Sequence, residues 1–169
     1  MKPVQRVLFL LVPLIVLSTA VAAADWPQYR GPNRDGRSSE KGMLRSWPDS
    51  GPEVLWRARL GSGYSGMAVV EGRVFTMFGD GGEEYAGAFD VATGQELWRF
   101  KMGGELRNNQ GNGPRSTPTV DGDLVYVLGA RSKLYALDAS SGEVRWGSDL
   151  TKEFGAQVPE WGTSTSPLV

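Results

Sequence analysis

An eleven-residue pattern occurs twice in this chain and restricts its fold more than any other feature. Ala88-Phe89-Asp90-Val91-Ala92-Thr93-Gly94-Gln95-Glu96-Leu97-Trp98 aligns with Ala136-Leu137-Asp138-Ala139-Ser140-Ser141-Gly142-Glu143-Val144-Arg145-Trp146. The shared form is A-x-D-x-x-[ST]-G-x-x-x-W. A partial third copy stands at Gly51-Pro52-Glu53-Val54-Leu55-Trp56. Trp56, Trp98 and Trp146 lie 42 and 48 residues apart, the period of a four-stranded propeller blade. A second register repeats alongside the first. Gly63, Gly113 and Gly162 each stand five residues before Ala68, Pro118 and Pro167.

Each part of the unit reads as a strand or a turn. Val74 to Phe78 and Leu124 to Leu128 are runs of β-formers. Glu71-Gly72 and Asp121-Gly122 predict tight turns ahead of them. Lys133 to Asp138 alternates as a third strand does. In Asp-x-x-[ST]-Gly, the Asp can cap a turn and the Gly can take positive φ. A fourth strand is expected around each Trp. Trp56, Ala58 and Leu60 share one face against Arg57 and Arg59; Trp98, Phe100 and Met102 repeat this against Arg99 and Lys101. Alternation with one wet face marks an outer antiparallel strand. An indole buries roughly 150–250 Å², and one per unit can fill the wedge between neighbouring blades. The expectation is an all-β propeller of four-stranded antiparallel blades. Gly79-Asp80-Gly81-Gly82-Glu83-Glu84 lacks the alternating oxygen ligands of a calcium loop and reads as a hairpin connection.

The two full copies resemble the tryptophan-docking motif of the pyrroloquinoline-quinone (PQQ)-like propeller repeat family, which includes PQQ-dependent alcohol dehydrogenases and the assembly factor BamB. The resemblance runs from about residue 53 to the end. It implies that Asp90, Gly94, Trp98, Asp138, Gly142 and Trp146 hold the architecture together, with no catalytic role. Asp25 to Gly36 resembles the lead-in of exported bacterial members. An irregular arm is therefore expected over residues 25–52, with Trp26 and Tyr29 packed on the propeller, and blades over 53–169.

The N-terminus has the three parts of a secretory signal. Lys2 and Arg6 precede the apolar run Val7 to Leu17, and small residues follow up to Ala24. Cleavage after residue 24 leaves 145 of the 169 residues, with no stable membrane span expected afterwards. At about 45 residues per unit, that is about three blades, while closed rings have typically 4–8. An incomplete, truncated propeller is thus expected, its ring closed by further blades or an oligomer partner.

Composition removes several classes of function. The chain has no Cys and no His, so it has no disulfide framework, lipid-anchoring thiol or imidazole base. The vicinal disulfide usual in PQQ enzymes has no counterpart. With 18 Lys and Arg against 19 Asp and Glu, there is no basic surface for nucleic acid. Nucleophile elbows, phosphate-binding loops and Cys/His metal spacings are missing from the sequence.

Loops on a rigid scaffold are where binding residues gather. Arg107 to Ser116 combines Asn108, Asn109 and Arg115 with glycines, a donor set for a polar or anionic ligand. The equivalent loop, Glu160 to Ser166, offers Trp161 as a stacking surface or as packing. The leading expectation is a non-catalytic binding or scaffold module, exported to the periplasm or cell envelope. Its partner would be a protein or polymer, with no metal and no assigned cofactor. The alternative is the N-terminal part of a PQQ-dependent alcohol or sugar dehydrogenase, with PQQ and calcium as cofactors and its acids on other blades.

Overall fold

The computed structural model describes residues 24–169. The expected signal segment lies outside them except for Ala24. Eight strands form two four-stranded antiparallel sheets, each in sequence order. The first comprises β1 (Ala68–Val70), β2 (Arg73–Asp80), β3 (Glu83–Asp90) and β4 (Glu96–Gly104). The second comprises β5 (Thr119–Asp121), β6 (Leu124–Leu128), β7 (Lys133–Asp138) and β8 (Val144–Asp149). A single-turn helix, α1 (Leu150–Phe154), follows.

Local chemistry explains these elements. Asp80 pairs with Glu83 across Gly81-Gly82, whose φ angles of 58° and 85° suit a two-residue hairpin between twisted strands. In each sheet the motif's first Ala faces its Trp: Ala88 pairs with Trp98, and Ala136 with Trp146. Each sheet also shifts register just after that Ala. The repeat is thus structural as well as textual.

The core lies between the sheets. Phe75, Met77, Ala86, Ala88 and Met102 of the first meet Val120, Val125, Val127 and Leu137 of the second. The inner strands β1 and β5 adjoin. Across the interface, the Phe100 and Tyr135 rings meet edge-on at 5.0 Å, and the Tyr135 hydroxyl donates to the Met102 carbonyl at 3.1 Å. A smaller cluster of Val74, Phe78 and Phe89 fills the opposite side of the first sheet, covered by Leu60.

Of the about three blades expected, two are complete four-stranded sheets among the described residues. Trp56, Ala58 and Leu60 lie in irregular chain rather than an outer strand. A strand requires a neighbour to exchange hydrogen bonds with, and among the described residues no strand pairs with Trp56, Ala58 or Leu60; Trp56 and Leu60 meet the first sheet and its β3–β4 turn through side chains. The helix α1 was not anticipated. Asp149 caps it by accepting from Thr151 N–H, and Gly155 ends it at φ 65°.

Candidate binding face

The docking turns are built alike. Asp90 Oδ1 accepts from the N–H groups of Ala92 and Thr93 at 3.1 and 2.8 Å and from the Thr93 hydroxyl at 2.7 Å. Asp138 Oδ1 accepts from Ser140 and Ser141 N–H, both at 3.0 Å, and its Oδ2 meets Arg145 at 2.7 Å. These bonds stabilise the ionised form. The Thr93 hydroxyl and N–H hold Asp90 below its ordinary value. The Ser140 hydroxyl and then Arg145 hold Asp138 well below the usual carboxylate range. Each turn receives the Trp of the preceding unit. Trp98 Nε1 donates to Ala139 O at 3.0 Å, and Trp56 Nε1 donates to Val91 O at 2.8 Å. A Cβ on Gly142 would fall 2.7 Å from the Trp98 ring, and one on Gly94 would fall 2.4 Å from the Trp56 ring. Close approach, together with φ of 75° and 71°, requires glycine at both positions.

Among the described residues, no such turn receives Trp146. It is 45% exposed and borders an open groove of about 350 Å³ with Tyr126, Leu128 and Leu134.

The loop side chains singled out from sequence separate into two kinds. Asn108 joins the two loops by donating to Glu160 O at 2.8 Å, and its own Oδ1 accepts from Gln110 N–H at 2.8 Å. Asn109 is exposed. Trp161, beside Glu160, is 58% exposed. Arg115 turns instead onto its own loop and Tyr64. It donates to the carbonyls of Gly111, at 2.6 Å, and Gly113, and its guanidinium lies 5.7 Å from the centre of the Tyr64 ring. Asn108 and Trp161 thus share one corner, while Arg115 faces another.

The N-terminal arm completes the second corner. Trp26 exchanges backbone hydrogen bonds with Val69 at 2.7 and 2.9 Å, and Val120 N–H donates to Pro27 O at 2.8 Å. Arg34 then reaches Pro167 O at 2.9 Å. The arm therefore covers the free edges of β1 and β5, whose N–H groups would otherwise lack partners. Trp26 is half-buried as expected, but Tyr29 is 57% exposed and does not pack down. Trp26, Tyr29, Arg30, Tyr64 and Arg115 surround a pocket of about 320 Å³.

A buried carboxylate crosses between the sheets. Glu84, at the start of β3, is 2% exposed. It accepts from Leu106 N–H at 3.2 Å and from Ala130 N–H at 3.0 Å. Burial raises its pKa, with those two N–H groups opposing the shift.

Comparison with known proteins agrees with this geometry. A profile of the family described as outer membrane protein assembly factor BamB matches residues 82–164. Residues 82–164 are thus of the PQQ-like β-propeller repeat family. The PQQ-like chain is 32% identical over 121 residues to lupanine 17-hydroxylase [cytochrome c] of a Pseudomonas species, a match to 70% of this chain and 16% of that protein. It is also 32% identical over 106 residues to BamB of Shewanella oneidensis, covering 56% of this chain and 26% of BamB. Quinohemoprotein alcohol dehydrogenase from Comamonas testosteroni superposes with a TM-score of 0.55 at 18% identity, over 85% of this chain and 21% of that one. The PQQ-like chain thus spans about a quarter or less of these relatives.

Among the described residues, no three Asp, Glu, His or Cys side chains gather as a metal-binding group. These residues do not by themselves fit a calcium ion. No helix among them is long and apolar enough to cross a membrane. Tyr64, Arg30 and Glu84 escaped the sequence reading. The Gly63/Gly113 register does carry a signal for Tyr64, since it places Tyr64 and Arg115 on equivalent, adjacent loops.

Proposed function

We propose that this chain is a non-catalytic binding or scaffold module of the bacterial cell envelope, reached by export, whose loop face holds a protein or polymer. The observation that carries this reading is how the loop donors are used. Asn108 and Arg115 donate to backbone carbonyls of their own or neighbouring loops. They stiffen the loops, and large side chains such as Tyr29, Tyr64 and Trp161 remain exposed around them. A rigid surface carrying exposed rings suits recognition, because little ordering entropy is lost on contact. The match to the BamB family supports the same reading.

The similarity to lupanine 17-hydroxylase favours a second reading, the N-terminal part of a PQQ-dependent dehydrogenase. Calcium-binding and catalytic carboxylates would then have to come from outside the described residues. The two readings separate in one assay. Purified full-length protein is mixed with PQQ and Ca²⁺, and dye-linked oxidation of alcohols and sugars is followed. No turnover and no tight quinone binding are expected; sustained turnover overturns the scaffold reading.

A further inference from the structure

We propose that the pocket between the N-terminal arm and the entrances to β1 and β5 is a subsite for a carboxylate-bearing sugar ring, one unit of a uronate-containing polysaccharide. This rests on the binding-module reading and names its ligand. The pocket measures about 320 Å³, near the lower end of the roughly 300–1,000 Å³ of small-molecule sites. That is room for one or two rings rather than a folded partner.

The chemistry of the walls selects the ligand. Tyr29 and Tyr64 are 57% and 61% exposed and offer flat faces to the apolar side of a pyranose. Arg30 and Arg115 bring two guanidinium groups, and no Asp or Glu lines the pocket. An anion placed there meets two cations and no repelling carboxylate. Arg115 engages the Gly111 and Gly113 carbonyls, but a guanidinium carries five N–H donors, so others can serve a carboxylate. Such charge-assisted bonds are about twice as strong as neutral ones. A neutral sugar would gain the stacking alone, and an acidic peptide the charge alone.

The walls are also set in advance. Tyr64 is held at both ends, its N–H donating to Pro114 O at 2.8 Å and its hydroxyl to Gln110 O at 3.0 Å. Arg30 sits at φ 64° and donates to Asp35 O at 3.3 Å. The arm that presents it is fixed by backbone pairing to Val69 and Val120. Preorganisation of this kind lowers the entropic cost of binding.

The test is calorimetric titration of the full chain with trigalacturonate, with its methyl ester, with oligoglutamate and with PQQ. The acid sugar is expected to bind at least about tenfold more tightly than its ester, a gap of about 1.4 kcal/mol, and to weaken as salt rises. Arg30→Gln and Tyr29→Ala, both at exposed positions, should each weaken it about fivefold or more with the melting temperature unchanged. Equal binding of acid and ester, binding untouched by both variants, or a preference for oligoglutamate would each overturn the subsite while leaving the scaffold reading intact. PQQ binding accompanied by dye-linked turnover would instead overturn the scaffold reading itself.

Discussion

Asp138 links sequence to turn to packing within one side chain. Its carboxylate gathers the Ser140 and Ser141 donors, so the turn closes and Gly142 presents a flat backbone to the Trp98 ring. Arg145 adds an ion pair at 2.7 Å. The native carboxyl is held below its ordinary value of 3.8, so the unfolded chain binds this proton more readily than the native one. The stabilisation is therefore present above about pH 3.8 and is lost as pH falls below it. We expect Asp138→Asn, which keeps one acceptor oxygen but loses the charge, to be less stable than wild type at pH 6. The difference should shrink toward pH 2.5. Urea midpoints measured across that range check this; a constant difference at every pH would contradict it.

At the scale of elements, Glu84 is the bond between sheets that hydrophobic patterning does not explain. It leaves the β2–β3 hairpin and reaches Leu106 and Ala130, one beyond the outer strand of its own sheet and one in the β6–β7 connection of the next. An unsatisfied buried N–H costs about 1–3 kcal/mol. Glu84→Ala leaves two without partners and should destabilise the protein by about 2–4 kcal/mol. Glu84→Gln, retaining one acceptor oxygen, should cost about half as much. Denaturant unfolding of both variants checks the order: no loss in Glu84→Gln would show that the side chain acts through volume alone, and equal losses would contradict the assignment of one bond to each oxygen. The arm is another contact between elements. Its residues pair with β1 and β5 in succession, so it works as a strap across both inner edges.

Across the whole molecule, one structural device is used three times and completed twice. Trp56 and Trp98 each lie on the turn of the following unit, whereas Trp146, its ring centre 6.0 Å from that of Tyr126, borders an open groove. Equal motifs should therefore have unequal energetic weight. Trp98→Ala removes a ring wedged between two sheets and should cost about 3 kcal/mol or more. Trp146→Ala, at a site that is 45% exposed, should cost under about 1 kcal/mol. Urea unfolding of the two variants side by side tests this, and equal costs would mean that the wedge between sheets is not what gives the indole its weight.

The pattern from Ala88 to Trp98 and its copy from Ala136 to Trp146 were enough to reveal strands, turns and the docking role of the ring, because each depends on local rules. Side-chain alternation, the φ freedom of glycine and the capping reach of aspartate all act within a few residues. Lys133–Asp138 and Leu124–Leu128 accordingly form strands at the positions read from sequence. Three things were settled only by contacts distant along the chain. Trp56 lies in irregular chain because, among the described residues, no strand pairs with its backbone. Tyr29 stays exposed because the arm's pairing to Val69 and Val120 turns it outward, toward Arg115 and Tyr64. Glu84 is buried because a neighbouring sheet offers it two N–H groups, and no spacing in the sequence encodes partners 22 and 46 residues away.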